Sequence, residues 1–209
     1  VLSRRWALWT ELQVRRTGGT AALEEWQQLL VRPGVLYTIA PGVRAGAGYA
    51  WIDTWPYGEQ PIAARAGEHR AWQQLQLAHE TGRVEWQHRL RLEQRWLETP
   101  VAGSEEVDTR YSNRGRLFAR AALPLRAGTV ADGAPYVTLS NEVFVNWGRN
   151  VGRNVFDQNR LFVGVGATVV RGSRLELGYL QQLLLKPDGV QYERNHTLLL
   201  TWWHTTGRR

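Results

Sequence analysis

Histidine, serine and arginine are the residues of this chain whose chemistry could carry a function. His69, His79, His88, His196 and His204 are its strong neutral-pH bases, and no two stand at a metal-motif spacing such as His-Glu-x-x-His. His69, between Glu68 and Arg70, has the chemistry of a general base, and Ser140 or Ser112 that of a nucleophile if the fold joined them. The opposing reading makes all of these polar groups that satisfy a lumen or a headgroup zone. Glu105, Glu106 and Asp108 lack the alternating spacing and central glycine of a calcium loop, so they read as a solvated acidic run. Gly42-x-x-x-Gly46-x-Gly48 lacks the Lys-Ser/Thr helix start of a phosphate loop. With no cysteine there is neither a disulfide nor a thiolate metal site; no metal or cofactor is expected, and no catalysis is evident, with a hydrolytic site kept as an alternative.

The arginines are the richer signal. Arg89-Leu90-Arg91-Leu92-Glu93-Gln94-Arg95 alternates charge and leucine with the two-residue period of a strand, and the pattern recurs almost to the end of the chain. Reading alternation between turn signals predicts ten strands, near 4–16, 25–38, 42–53, 67–81, 83–97, 113–126, 134–146, 157–170, 173–184 and 194–206. The connectors at 39–41, 82, 127–133 and 171–172 are short, and those at 17–24, 54–66, 98–112, 147–156 and 185–193 are mostly longer. That is the porin-like layout of an outer-membrane barrel, short turns periplasmic and both termini on that side. Thr81-Gly82-Arg83, Arg171-Gly172-Ser173 and Asp132-Gly133 suit tight turns, while Trp55-Pro56-Tyr57-Gly58 and Lys186-Pro187-Asp188-Gly189 suit loops. Ala21 to Gln28 has helix-compatible composition but runs unbroken into Leu29-Leu30-Val31, so it reads as an extended approach to the second strand.

One face of these strands carries Glu11, Arg15, Arg32, Arg44, Glu68, Arg70, Gln74, Arg89, Arg91, Glu93, Arg95, Arg116, Arg120, Glu142, Arg160 and Glu176. The other carries Leu8, Leu12, Val14, Leu90, Leu92, Val143, Val145, Leu161 and Val163, with Leu198 and Leu200 in the last strand. A soluble sandwich could not bury so many charges between its sheets, because each unpaired one costs several kcal/mol; with the charges in solvent it would need two sheets paired through their apolar faces, an alternative that stays open and that strand length opposes. Strands of about 12 to 14 residues also exceed the usual ~5–6 of globular sheets and suit a tilted barrel wall.

Composition agrees with this placement. Mean hydropathy is −0.40, and no apolar run approaches the ~18 residues of a membrane helix. Eleven tryptophans and seven tyrosines suit a headgroup boundary. The net charge of +7 comes from dispersed arginines rather than a clustered patch, which argues against a nucleic-acid partner. The expected fold is therefore all-β: one domain over residues 1–209, a closed antiparallel up-and-down transmembrane barrel of about ten to twelve strands. The aliphatic rows face lipid and the charges form a lattice in a narrow lumen filled by side chains. The expected partners are outer-membrane lipid and other envelope proteins. Three alternatives to a structural or accessory role stay open: a narrow anion-preferring pore lined by arginine, a lipid-acting hydrolase, and a subunit of a larger envelope complex.

Leu29-Leu30-Val31-Arg32-Pro33-Gly34, Gly48-Tyr49-Ala50-Trp51, Glu68-His69-Arg70 with Trp72-Gln73-Gln74, the Arg89 to Arg95 run, Ser140-Asn141-Glu142, Phe156-Asp157-Gln158-Asn159-Arg160 and Leu175-Glu176-Leu177-Gly178-Tyr179 follow one another in a particular order and spacing. That order resembles the bacterial family called domain of unknown function 2490, over nearly the whole chain. The resemblance implies an exported outer-membrane β-barrel and no activity. It also implies a strand-like segment before Leu2-Ser3-Arg4-Arg5-Trp6. With no methionine even at position 1, the chain is expected to begin after a processed or disordered segment. Leu198, Leu200 and Trp202 form a terminal apolar run, but the sequence continues through His204 to Arg208-Arg209 rather than ending on an aromatic residue.

Overall fold

In a computed structural model, residues 5–17, 24–56, 64–101, 106–130, 134–170, 172–186 and 189–206 are described. Alternation does what its period demands: ten strands form and no α-helix is found among the described residues. They are β1 (Trp6–Thr17), β2 (Glu25–Ala40), β3 (Val43–Thr54), β4 (Ala66–Thr81), β5 (Val84–Pro100), β6 (Val107–Pro124), β7 (Tyr136–Trp147), β8 (Phe156–Val170), β9 (Ser173–Leu185) and β10 (Tyr192–His204). Each pairs antiparallel with its neighbours in sequence, giving one up-and-down sheet in the order β1 to β10.

Side-chain contacts show that the sheet is rolled into a half-barrel. Neighbouring strands lie ~4.8 Å apart, so β5 and β9 would be ~19 Å apart in a flat sheet. Yet Arg174 on β9 reaches Glu85 on β5 at 2.9 Å, and Trp9 on β1 packs edge-on against Trp72 on β4 with ring centroids 5.3 Å apart. The outer edges of β1 and β10 carry no ladder among the described residues.

Two connectors differ from expectation. The β5–β6 hairpin continues through Glu98 opposite Thr109 to Pro100 opposite Val107, so the expected 98–112 loop contracts to 101–106 and Asp108 becomes a strand residue facing Thr99. On the opposite side the expected short 127–133 turn spans 125–135. Its residue Val130 is buried against Ala122 and Tyr136, and Thr168 Oγ1 donates to the Val130 carbonyl at 3.2 Å. The tight β2–β3 and β4–β5 turns rest on Gly42 (φ +75°) and Gly82 (φ +59°), in the left-handed region where a Cβ is strained. The expectations on Leu2 to Arg4, Ala21 to Leu23, Tyr57-Gly58, Glu105, Asp132-Gly133, Arg171, Pro187-Asp188 and Arg208-Arg209 lie outside the described residues.

Candidate functional site

The inner face is the place where charge concentrates. Inward positions are even on β4, β6, β7 and β9 and odd on β5, so the alternation of each strand delivers its charged row to the same side. Glu93 on β5 sits at the centre and is fully buried. Arg114 and Arg116 donate to it at 2.6 and 2.8 Å, and Arg70, Arg32 and Arg91 stand 3.7, 3.9 and 4.0 Å away. Arg32 also holds Glu11 at 2.8 Å, and Glu68 is shared by Arg70 at 2.6 Å and by Arg95. Arg116 and Arg89 share Glu142 at 2.9 and 2.8 Å, and Arg120 bonds Glu176. Arg160 donates to Gln158 at 3.1 Å.

Aromatic rings fill the space between these charges, a feature the expectation of a purely ionic interior missed. Arg91 lies beside the edge-on pair of Trp9 and Trp72, 5.2 and 5.1 Å from their ring centroids. Arg114, Arg116 and Arg160 all lie over Phe144, at 5.2, 4.5 and 4.8 Å. Planar guanidinium suits this double duty, forking to carboxylates at its edge and stacking through its face. Trp72 finds room because a Cβ on Gly34 or Gly48 would collide with its ring. Its parity, two residues from both Arg70 and Gln74, was the available signal.

Arg114, Glu85 and Arg174 also join the lattice and were legible by the same parity. Asp157 was not. The β7–β8 register shifts between Phe144 and Val145, whose partners are Gln158 and Phe156, so Asp157 is the extra residue of a bulge. It meets Arg114 at 3.0 Å, on a face that simple alternation denies it.

The hydrolytic arrangement does not assemble. Ser112 and Ser140 are buried on the inner face, while His69 is on the outer face, bonded to the Tyr49 hydroxyl and 3.4 Å from Glu98. The wall of the sheet stands between them. Nor does any group of three or more metal-ligating side chains occur among the described residues. His79 and His88, far apart by sequence motif, do meet through the β4–β5 pairing with Nε2 atoms 3.3 Å apart, stacked beside Trp86.

Outside, Leu90, Leu92, Val145, Leu161, Val163, Leu198 and Leu200 are exposed. Val143 is half-buried in a shallow outward groove of about 450 Å³ with Leu75, Leu90 and Leu117. Outward amides pair with one another, Gln73 with Gln94 at 3.0 Å and Asn141 with Asn159 at 3.0 Å. Aromatic side chains flank the aliphatic rows: Trp6 with Tyr37, Trp86, and Trp202 with His204 toward the short turns; Trp96 with Tyr111, and Tyr49 with His69, toward the longer loops. Beyond that belt Arg65 bonds Asp53, and this bond raises its guanidinium pKa further.

The family described as protein of unknown function (DUF2490) matches residues 1–193, from before β1 into the start of β10. The chain belongs to this family. No curated protein and no solved structure matches it. Family membership in DUF2490 covers every strand that contributes to the charged lattice, and it assigns none of these residues a role.

Proposed function

We propose that this DUF2490 chain is an integral bacterial outer-membrane barrel, a structural or accessory component of the envelope, with its termini and short turns periplasmic. The spacing of the two aromatic belts carries the reading. Trp86 and Trp96 stand ten residues apart on β5 with Leu90 and Leu92 between them. At ~3.4 Å per residue that is ~34 Å along the strand, and a tilt of ~40° brings it to ~26 Å, close to the ~25 Å apolar band of such barrels. The paired outward amides support it as well, since polar groups facing hydrocarbon must satisfy each other.

Closure follows from the same medium. In lipid each unpaired backbone group costs several kcal/mol, so the free edges of β1 and β10 pair with each other in the proposed barrel. The lumen is read as plugged rather than conducting. Trp72, Glu93 and Arg91 fill its middle with no exposed surface left, and Val130 enters from the short-turn end. Other envelope proteins remain the expected protein partners, docking on the outward aromatics.

The test is expression in a Gram-negative host followed by fractionation and planar-bilayer recording. The reading expects the chain in outer-membrane pellets that resist urea extraction, with no single-channel current. A monomer that stays in water without detergent would refute the membrane placement. A steady anion current that falls in Arg91→Gln and Arg120→Gln would refute the plugged lumen and favour the pore.

A further inference from the structure

We propose that His79 and His88 form an outward, exchangeable site for one divalent transition-metal cation of the kind that prefers imidazole, with Zn²⁺ as the probe. The inference rests on the β4–β5 ladder and not on the membrane placement. Thr81 opposite Val84 closes that hairpin, and the same register sets His79 opposite Trp86 and His88 opposite Leu77. Both histidines therefore project from one face on the diagonal of neighbouring cross-strand pairs, where long side chains meet. Their Nε2 atoms stand 3.3 Å apart. Two nitrogens that share a tetrahedral Zn²⁺ at ~2.0–2.1 Å are separated by ~3.3–3.4 Å, so the pair already spans one edge of such a coordination shell.

The rings are held in place. The two imidazoles lie within 14° of parallel, and Trp86 is stacked beside both, its centroid 6.4 Å from that of His79 and 6.3 Å from that of His88. Ordering both side chains before the ligand arrives lowers the entropy cost of binding. The other three histidines are engaged differently, since a hydroxyl meets Nδ1 of His69, His196 and His204, from Tyr49, Tyr179 and Ser173. Among the described residues His79 and His88 hydrogen-bond only each other. In the neutral pair one Nε2 carries the proton and the other accepts it. Metal binding moves that proton to Nδ1 of its own ring, which frees both Nε2 lone pairs for the ion.

Access and room come from the wall itself. His79 is exposed and His88 half-buried. On β6 the small side chains Ala121 and Ala119 stand opposite Trp86 and His88, and His88 lines the outward groove. Two protein ligands are fewer than the three or four of built zinc centres, so water completes the shell and the ion exchanges. Imidazole nitrogen suits Zn²⁺, Cu²⁺ and Ni²⁺, whereas Mg²⁺ and Ca²⁺ take oxygen. In the membrane reading the site lies in the aromatic belt toward the short turns, at headgroup level, where water and ions reach it.

The experiment is calorimetric titration of zinc chloride into the full chain, made without a histidine tag and folded in detergent micelles, or in buffer if it proves water-soluble. The expected result is one Zn²⁺ per chain, with no saturable binding of Mg²⁺. His79→Gln and His88→Gln each abolish the binding, and His69→Gln, which leaves the pair intact, retains it. Both substitutions lie outside the charged lattice, so the metal-free Tm stays that of wild type, and either variant serves alone if the other does not fold. A second readout uses Cu²⁺, whose open d shell quenches nearby indole fluorescence. Quenching saturates in wild type and is lost in Trp86→Phe, which still binds Zn²⁺. A wild-type chain that binds no Zn²⁺, binding that survives in His79→Gln or His88→Gln, or quenching unchanged in Trp86→Phe would overturn the proposal. Water solubility would end the membrane reading and leave this titration readable.

Discussion

Neutralising Glu93 is the sharpest perturbation of this interior. In Glu93→Gln the side chain keeps its size and one acceptor oxygen, while the charge that faces five guanidiniums within 4.0 Å disappears. Arg114 loses little geometry but two charge-assisted bonds, at 2.6 and 2.9 Å, become at best neutral-acceptor bonds. Arg116 loses the same from its 2.8 Å contact, though Glu142 still holds it. Removing one partner of a buried pair costs about 3–5 kcal/mol, and the several cations gathered here put this case in that range. The assay is urea unfolding of protein folded into vesicles, followed by tryptophan fluorescence. Arg91→Gln is the informative companion. It removes a cation whose nearest carboxylate, Glu93, stands at 4.0 Å and is not hydrogen-bonded to it, so it should cost less than half as much. A Glu93→Gln protein within about 1 kcal/mol of wild type would show that solvent screens the lattice and that the burial argument is wrong.

Other expectations bear on the wall, the packing and the seam. Leu92→Arg, near the middle of the outward aliphatic row, should cost about 2–4 kcal/mol in vesicles, against about 0–1 for Leu125→Arg beyond the short-turn end of β6; equal costs would deny a depth-dependent apolar medium. Gly48→Ala places a methyl group against the Trp72 ring and the Pro33 carbonyl, and should lower stability by about 1–3 kcal/mol in the same unfolding assay. Because the natural chain has no cysteine, Leu12→Cys can be combined in turn with Leu198→Cys, Leu200→Cys or Trp202→Cys. Barrel closure predicts a disulfide in at least one of these pairs on a non-reducing gel, and oxidation that links none of them would leave the sheet open.

Alternation carried much of the architecture. Arg89 to Arg95 announces β5, its two faces and their opposite polarity without any tertiary information, because side-chain direction along a strand is set by the backbone itself. The turn glycine at position 82 marks a hairpin for a similarly local reason, whereas Gly42, which alternation assigns to the third strand, sits in the β2–β3 turn. Loop ends were less legible. Val107-Asp108-Thr109 has the composition of a loop and becomes strand only because Glu98 and Thr99 offer it a ladder.

What the sequence by itself determined is the number of strands, their order of polarity and the sorting of arginine and leucine to opposite faces, since a two-residue period leaves no other arrangement for those side chains. Which acid each arginine meets was decided only by the rolled sheet. Arg174 and Glu85 are distant in sequence and four strands apart, and they touch because curvature brings opposite walls within a side chain's reach. The bulge that turns Asp157 inward, the entry of Val130 into the interior, and the packing of Arg91 against two indole rings likewise depend on register and volume, quantities that exist only once the strands have paired.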